Sequence, residues 1–219
     1  MKLWRVVGLV AMAGVLLLSS GCCACGTFPF RRSPLRSRVE RAIQVRGVRI
    51  GELRTEHNAL PMDEAKEIRA SISMEVGELT LSGGAKGMLD AKFTYNVDDW
   101  KPKISSQVRD GVAHLSVQQP HLETLGVGEG ARNEWDLRLP DDVPLELWVN
   151  GGVGRHDLRL SSLDLTRLRI NVGVGEMDLD LSGDWAHDVD VTINGGVGRA
   201  VIRLPESMGV RVEVEGGLG

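Results

Sequence analysis

The chain has 219 residues, with 26 Lys and Arg against 30 Asp and Glu, a net charge of −4 and 42% apolar content. That length supports a sizeable core and that composition excludes wholesale disorder. An acidic balance with only 4% aromatic residues argues against a general nucleic-acid binder.

The charge is unevenly placed. Arg31 to Arg54 holds eight arginines and two glutamates, a surplus of +6, while residues 55–219 carry −12. Ahead of this basic collar, Lys2 and Arg5 precede an uncharged run from Val6 to Leu18. Thirteen residues of helix reach about 20 Å, short of a hydrocarbon core of about 30 Å. The run therefore reads as a secretory signal over residues 1–21. It ends Leu18-Ser19-Ser20-Gly21-Cys22. This end resembles a bacterial lipoprotein signal, which implies lipidation at Cys22 and an extracytoplasmic, membrane-anchored protein. A plain secretory signal or a short membrane anchor is the alternative. Cys22, Cys23 and Cys25 are the only cysteines, so the body has no disulfide framework.

Residues 22–47 read as a tether, with a helical turn or two at 36–46. Its arginines would attract anionic headgroups by about 1 kcal/mol each near the surface.

Residues 48–122 read as a first β module. Ile68, Ala70, Ile72, Met74 and Val76 alternate with polar residues, and so do Leu89, Ala91, Phe93, Tyr95 and Val97. Period-two alternation is the mark of a half-buried strand. Shorter strands are expected at 48–56, 103–108 and 112–118, and 62–67 reads as a turn.

Residues 123–219 repeat. Gly151-Gly152-Val153-Gly154, Val172-Gly173-Val174-Gly175, Gly195-Gly196-Val197-Gly198 and Gly216-Gly217-Leu218-Gly219 place their last glycines 21, 23 and 21 residues apart. Such a period signals a solenoid. The structural turn residues are taken as Gly152, Gly154, Gly173, Gly175, Gly196 and Gly198. In-register stacking would align Glu146, Arg167, Asp190 and Arg211 in one column and Glu134, Arg155, Glu176 and Arg199 in another. Signs alternate at each step, which favours direct stacking. A third column (Arg138, Arg159, Asp180, Arg203) alternates in part. Asn150, Asn171 and Asn194 form a fourth, where stacked amides would bond along the axis and asparagine would suit a left-handed corner. The expected fold is all-β: a parallel β-solenoid with coils of about 22 residues behind a short β-rich module. An antiparallel meander is the rival. The last repeat ends at Gly219 without a cap, leaving Val210, Val212 and Val214 on an open coil, so the solenoid reads as truncated, or its open end docks on a partner or a second copy.

Two stretches resemble known families. Residues 51–108, through Gly77-Glu78-Leu79, Gly83-Gly84, Phe93-Thr94-Tyr95-Asn96-Val97 and Trp100-Lys101-Pro102, resemble the N-terminal module of the toast-rack family of bacterial envelope proteins. The glycine repeats resemble the β-solenoid of LiaF-type proteins. That resemblance implies a role in cell-wall-antibiotic stress signalling; the toast-rack resemblance implies no catalytic residues.

The residues themselves offer little chemistry. Gly126-Val127-Gly128-Glu129-Gly130 is not a dinucleotide fingerprint. Gly151-Gly152-Val153-Gly154-Arg155-His156-Asp157 departs from calcium β-roll repeats in both order and period. His57, His114, His121, His156 and His187 give no zinc-ligand pair. Glu176, Asp178 and Asp180 share an outward face, read as solvated and arginine-partnered, with a cation as the lesser reading. Trp148 projects outward and would suit a sugar ring or an arginine. No catalytic, metal or cofactor residue is assigned and no enzyme is expected. The expectation is a non-enzymatic lipid-anchored envelope protein with an unknown envelope partner. An envelope-stress regulator and a polysaccharide-binding or polysaccharide-cleaving solenoid are the alternatives.

Overall fold

The structure is a computed structural model that describes residues 5–10, 50–121 and 130–216. Its strands are β1 (Arg5–Val10), β2 (Ile50–Leu60), β3 (Glu67–Ser82), β4 (Leu89–Val97), β5 (Lys103–Arg109), β6 (Val112–Gln118), β7 (Asn133–Arg138), β8 (Leu145–Arg159), β9 (Leu165–Asp180), β10 (Asp190–Arg203) and β11 (Arg211–Gly216). A short 3-10 turn, Asp98–Trp100, follows β4. Cys22, the tether and residues 122–129 lie outside the described residues, as does most of the proposed signal.

β3, β8, β9 and β10 run parallel and in register. Fully extended, the 15 residues of β8 would span about 50 Å at 3.3 Å each. The link from Arg159 to Leu165 can bridge only about 20 Å, yet Leu145 pairs with Leu165. Each strand must therefore fold back on itself midway, and the glycines mark where. The result is a stack of V-shaped coils whose arms enclose the core. Leu145, Leu147 and Val149 line one arm of β8 and Leu158 lines the other, all buried. Ile68, Ile72, Leu79 and Leu81 repeat the pattern in β3, and Leu168, Ile170 and Leu179 repeat it in β9. Closing turns add Leu160, Leu163 and Leu181 to the same cluster. Truncating one of these leucines to alanine costs about 2–5 kcal/mol.

The all-β, parallel solenoid expected from the repeats is what the chain forms. Among the described residues, antiparallel pairing is confined to the β2 end of the stack, where β2 pairs with β4, β4 with β7, and β5 with β6. The strands at 103–109 and 112–118 and the turn at 62–66 fall close to where alternation placed them.

Four expectations are corrected. The glycine turns do not separate two strands: each strand passes through its corner unbroken. The asparagines before them are not left-handed; positive φ falls instead on Gly77, Gly154, Gly175 and Gly198. Third, β7 is not next to β8. β3 lies between them, so Glu78 separates Glu134 from Arg155 and Ser82 separates Arg138 from Arg159. This insertion relieves the Arg138–Arg159 clash but sets Glu78 opposite Glu134. Fourth, β11 does not pair with β10. β1 stands between them, with Arg5 aligned to Asp190 on one side and Arg211 on the other.

β3 is thus flanked by β8 along its whole length and by two short strands on its other side. β6 covers its first arm and β7 its second. The gap between those two strands leaves the corner of β3 without a ladder partner on that side. Two side chains supply the missing bonds. Gln119 Oε1 accepts from the Glu75 and Val76 amides at 2.9 and 3.1 Å. Asn133 Nδ2 donates to the Val76 carbonyl at 2.7 Å, and its Oδ1 accepts from Trp135 Nε1 at 2.9 Å. Both residues are buried.

Candidate functional site

The surface is built by stacking one 21–23-residue unit, so each feature of a coil becomes a line along the axis. Three such lines run side by side at the glycine corner.

The first is an amide ladder. Asn150 Nδ2 donates to Ser73 Oγ at 3.3 Å, Asn171 Nδ2 to Asn150 Oδ1 at 2.8 Å, and Asn194 Nδ2 to Asn171 Oδ1 at 2.7 Å. With Gly151, Gly152, Gly173 and Gly195 it borders an open groove of about 730 Å³. The groove exists because the corner has no room for side chains. A Cβ on Gly152 would lie 2.2 Å from the Glu75 carbonyl oxygen, and one on Gly154 would lie 1.8 Å from that of Gly77. Gly175 and Gly198 repeat the second contact at 1.8 Å, and Gly173 and Gly196 meet carbonyls at 2.6 and 2.0 Å. Gly154 also sits at φ 148°, where a side chain is strained. All six glycines singled out in the sequence lie at these corners.

The second line is apolar. Val76, Val153, Val174 and Val197 are register partners. The last three are 50%, 48% and 46% exposed. The third line is charged: Glu78, Arg155, Glu176 and Arg199, aligned in that order and all exposed.

Away from the corner, the first arm carries Arg69, Glu146, Arg167 and Asp190 in register. Glu146 lies 3.7 Å from Arg69 and 3.6 Å from Arg167. Trp148, half-buried, stands in the next column between Ser71 and Arg169. Ser116 extends that column beyond Ser71, giving a flat polar face around one indole.

The second arm carries the acids. Asp178 pairs with Arg203, and this bond holds its carboxyl below the usual range. Asp180 is lowered chiefly by the Ser182 hydroxyl and then by the Ser182 amide. Asp184 accepts from Ser207 at 2.9 Å. Asp178, Asp180 and Asp184 thus have partners within the chain, and no cluster with the makings of a metal site occurs among the described residues.

His156 points inward, as its column predicted, and is 1% exposed. Neither ring nitrogen reaches a hydrogen-bond partner. Burial pulls its pKa down, and the Glu176 backbone, near the ring but too poorly placed for a full hydrogen bond, offsets part of that. His121 meets Glu75, and His187 meets Asp164, each at 2.6 Å. Sequence reasoning missed Gln119 and Asn133. Their signal was a pair of amide side chains flanking a stretch without alternation.

Near the N-terminal end, Glu56 accepts from the Tyr95 hydroxyl at 2.6 Å and from Lys101 Nζ at 2.8 Å. Burial, followed by the Glu56 bond, pushes Tyr95 up to about 12.

No helix among the described residues is long and apolar enough to cross a membrane. No curated protein matches the chain. Among solved structures, a presumed cell adhesion protein from Clostridium sporogenes is 34% identical, with a TM-score of 0.70 over 72% of this chain and 74% of that one. A presumed adhesin from Parabacteroides distasonis is 12% identical, with a TM-score of 0.31 over 76% of this chain and 79% of that one. The model of the N-terminal domain of toast_rack, DUF2154, matches residues 49–203. That match takes in β2 through β10, every coil of the corner just described, and the chain belongs to the toast-rack family.

Proposed function

We propose that this is a non-enzymatic protein of the bacterial cell envelope, lipid-anchored at Cys22, whose solenoid is a surface for adhesion. The observation that carries the reading is the 34% identity and shared fold with a presumed cell adhesion protein. The stacked coils support it. They offer broad polar faces of fixed spacing, and of the acids and histidines Asp178 is held by Arg203, Asp164 by His187, and His156 lies in the core. In this reading residues 1–21 direct export and are removed, which takes β1 from between β10 and β11 in the mature protein, residues 22–47 are the tether, and the Arg31–Arg54 collar rests on anionic headgroups. The unidentified partner lies in the envelope or on a neighbouring surface.

The test is adherence of cells that carry or lack the protein. Loss of cell–cell or surface attachment on deletion, restored by the wild-type chain and not by Cys22→Ala, is the expected result. Unchanged attachment would overturn the adhesive role. Cys22→Ala protein that stays fully processed and membrane-bound would overturn the anchor.

A second reading, polysaccharide binding, is favoured by Trp148, whose half-buried indole lies among Ser71, Ser116 and Arg169. Trp148→Ala would abolish retention on cell-wall glycan while leaving the melting temperature in place. The LiaF-type resemblance supports a third role, in envelope-stress regulation, which a deletion strain's response to cell-wall antibiotics would report.

A further inference from the structure

Single exposed apolar side chains are ordinary on a protein surface; a contiguous line of them is not. Val76, Val153, Val174 and Val197 repeat at the strand spacing of about 4.8 Å, so three exposed valines and the half-buried Val76 form a stripe about 15 Å long on the outside of the bend. The core does not need them there. Their inward neighbours, such as Met74 and Leu79 in β3, do the packing. Beside the stripe runs Glu78, Arg155, Glu176, Arg199. None of these four makes an ion pair with another described residue.

That charge order has a symmetry. Reversed, it becomes Arg, Glu, Arg, Glu, the complement of itself. We infer that the valine stripe is the seam of a homodimer, in which two copies meet corner to corner with their solenoid axes antiparallel. The twofold axis then lies perpendicular to the solenoid axis, between β8 and β9. It sets Val153 against the second copy's Val174, and Val76 against its Val197. On the flank, Glu78 faces Arg199 of the second copy and Arg155 faces Glu176, each pair occurring twice, as an isologous interface requires. On the other flank the amide ladder meets its own reverse, and each asparagine still has an unused N–H and lone pair.

A parallel arrangement would swap the flanks and set each copy's charge column against the other's amide ladder, leaving all four charges without an opposite partner across the seam. The column therefore selects between the two orientations. Rim charges contribute little affinity and mainly set register; the valines supply the apolar contact.

This inference does not depend on the adhesive reading, and its test is separate. The full chain in non-ionic detergent is followed by sedimentation velocity over a concentration series, with thermal melts as the control for folding. The wild type is expected to shift from monomer to dimer as concentration rises. Arg155→Glu creates two like-charge contacts across the seam and is expected to weaken dimerisation at least tenfold. Val153→Asp is expected to leave a monomer with a nearly unchanged melt. The deciding variant is Arg155→Glu with Glu176→Arg. It spoils the alternation within each chain but restores both pairs across an antiparallel seam, so dimerisation should return. A wild type that stays monomeric, or an Arg155→Glu variant that dimerises as well as wild type, would overturn the seam. Failure of the double variant to recover would overturn its antiparallel register.

Discussion

The imidazole of His156 occupies the space that a side chain on Gly151 would take: a Cβ there would stand 2.1 Å from Nε2. The same two positions are filled by Met74 and Leu79 in β3 and by Val172 and Met177 in β9. The pair is thus a volume trade inside one coil, a large ring across from no side chain. Gly151→Ala should destabilise by about 1–3 kcal/mol, as overpacking does. Adding His156→Ala should recover much of that loss in a chemical-denaturation cycle. Independent, additive effects would show that the two sites do not share the space.

The same ring predicts a pH dependence. Its pKa is lowered in the folded state, so below about 6.5 the unfolded chain binds the extra proton. Stability should fall as pH drops below that point, by up to about 1.4 kcal/mol per unit, until the depressed folded pKa is reached. His156→Met should flatten this part of the profile, leaving only what the other histidines contribute. It should also raise stability at neutral pH, because two buried unpartnered nitrogens are removed. An unchanged slope would place the acid sensitivity elsewhere.

Tyr95 gives the opposite sign. It is the chain's single tyrosine, so phenolate absorbance reports on it alone. The expected midpoint is about 12, against an ordinary 10. Glu56→Gln should lower that midpoint without returning it to 10, because burial is the larger cause and persists. Since the folded pKa is raised, the associated stability is complete below pH 10 and is lost as pH rises towards 12. A wild-type midpoint near 10 would mean that the ring is not enclosed.

The first-arm column tests stacking itself. Arg167→Glu would put a third carboxylate between Glu146 and Asp190, costing roughly 0.5–1.5 kcal/mol at low salt. Glu146→Arg in the same chain should recover only part, because it turns a favourable contact with Arg69 into a repulsive one. Zero coupling in the double-mutant cycle would argue against adjacency of β8 and β9.

Strand type and coil stacking were legible in the sequence because they depend on local alternation and on a period. Ile68 to Val76 and Leu89 to Val97 each declare one buried face. The aligned asparagines and alternating charges placed β8, β9 and β10 side by side before any coordinates. The position of β3 was not legible. Its corner reads Met74-Glu75-Val76-Gly77, without the paired glycines that flag the others, and its neighbours in space, β7 and β8, are both distant in sequence. A period reveals partners only where order along the chain and order in the stack agree, and here they part at β3 and again at β1. His156 could be assigned to the inside from its column. The space it takes from Gly151 depends on two positions five residues apart facing each other across a bend, which alternation does not show.

The placement of β3 between β7 and β8 has a consequence for how this molecule can lengthen. Residues 112–138 and 145–159 meet through β3 alone, with no free edge between them. A duplicated unit cannot enter that junction without displacing a strand bonded on both sides. From β8 to β10 the chain simply lays one coil on the last, each through the same corner. Tandem duplication there adds a coil while leaving the older ones undisturbed. The architecture therefore has a polarity of growth: a fixed, interleaved base and an extensible far end, with reach set by repeat number and specificity by the residues along each column.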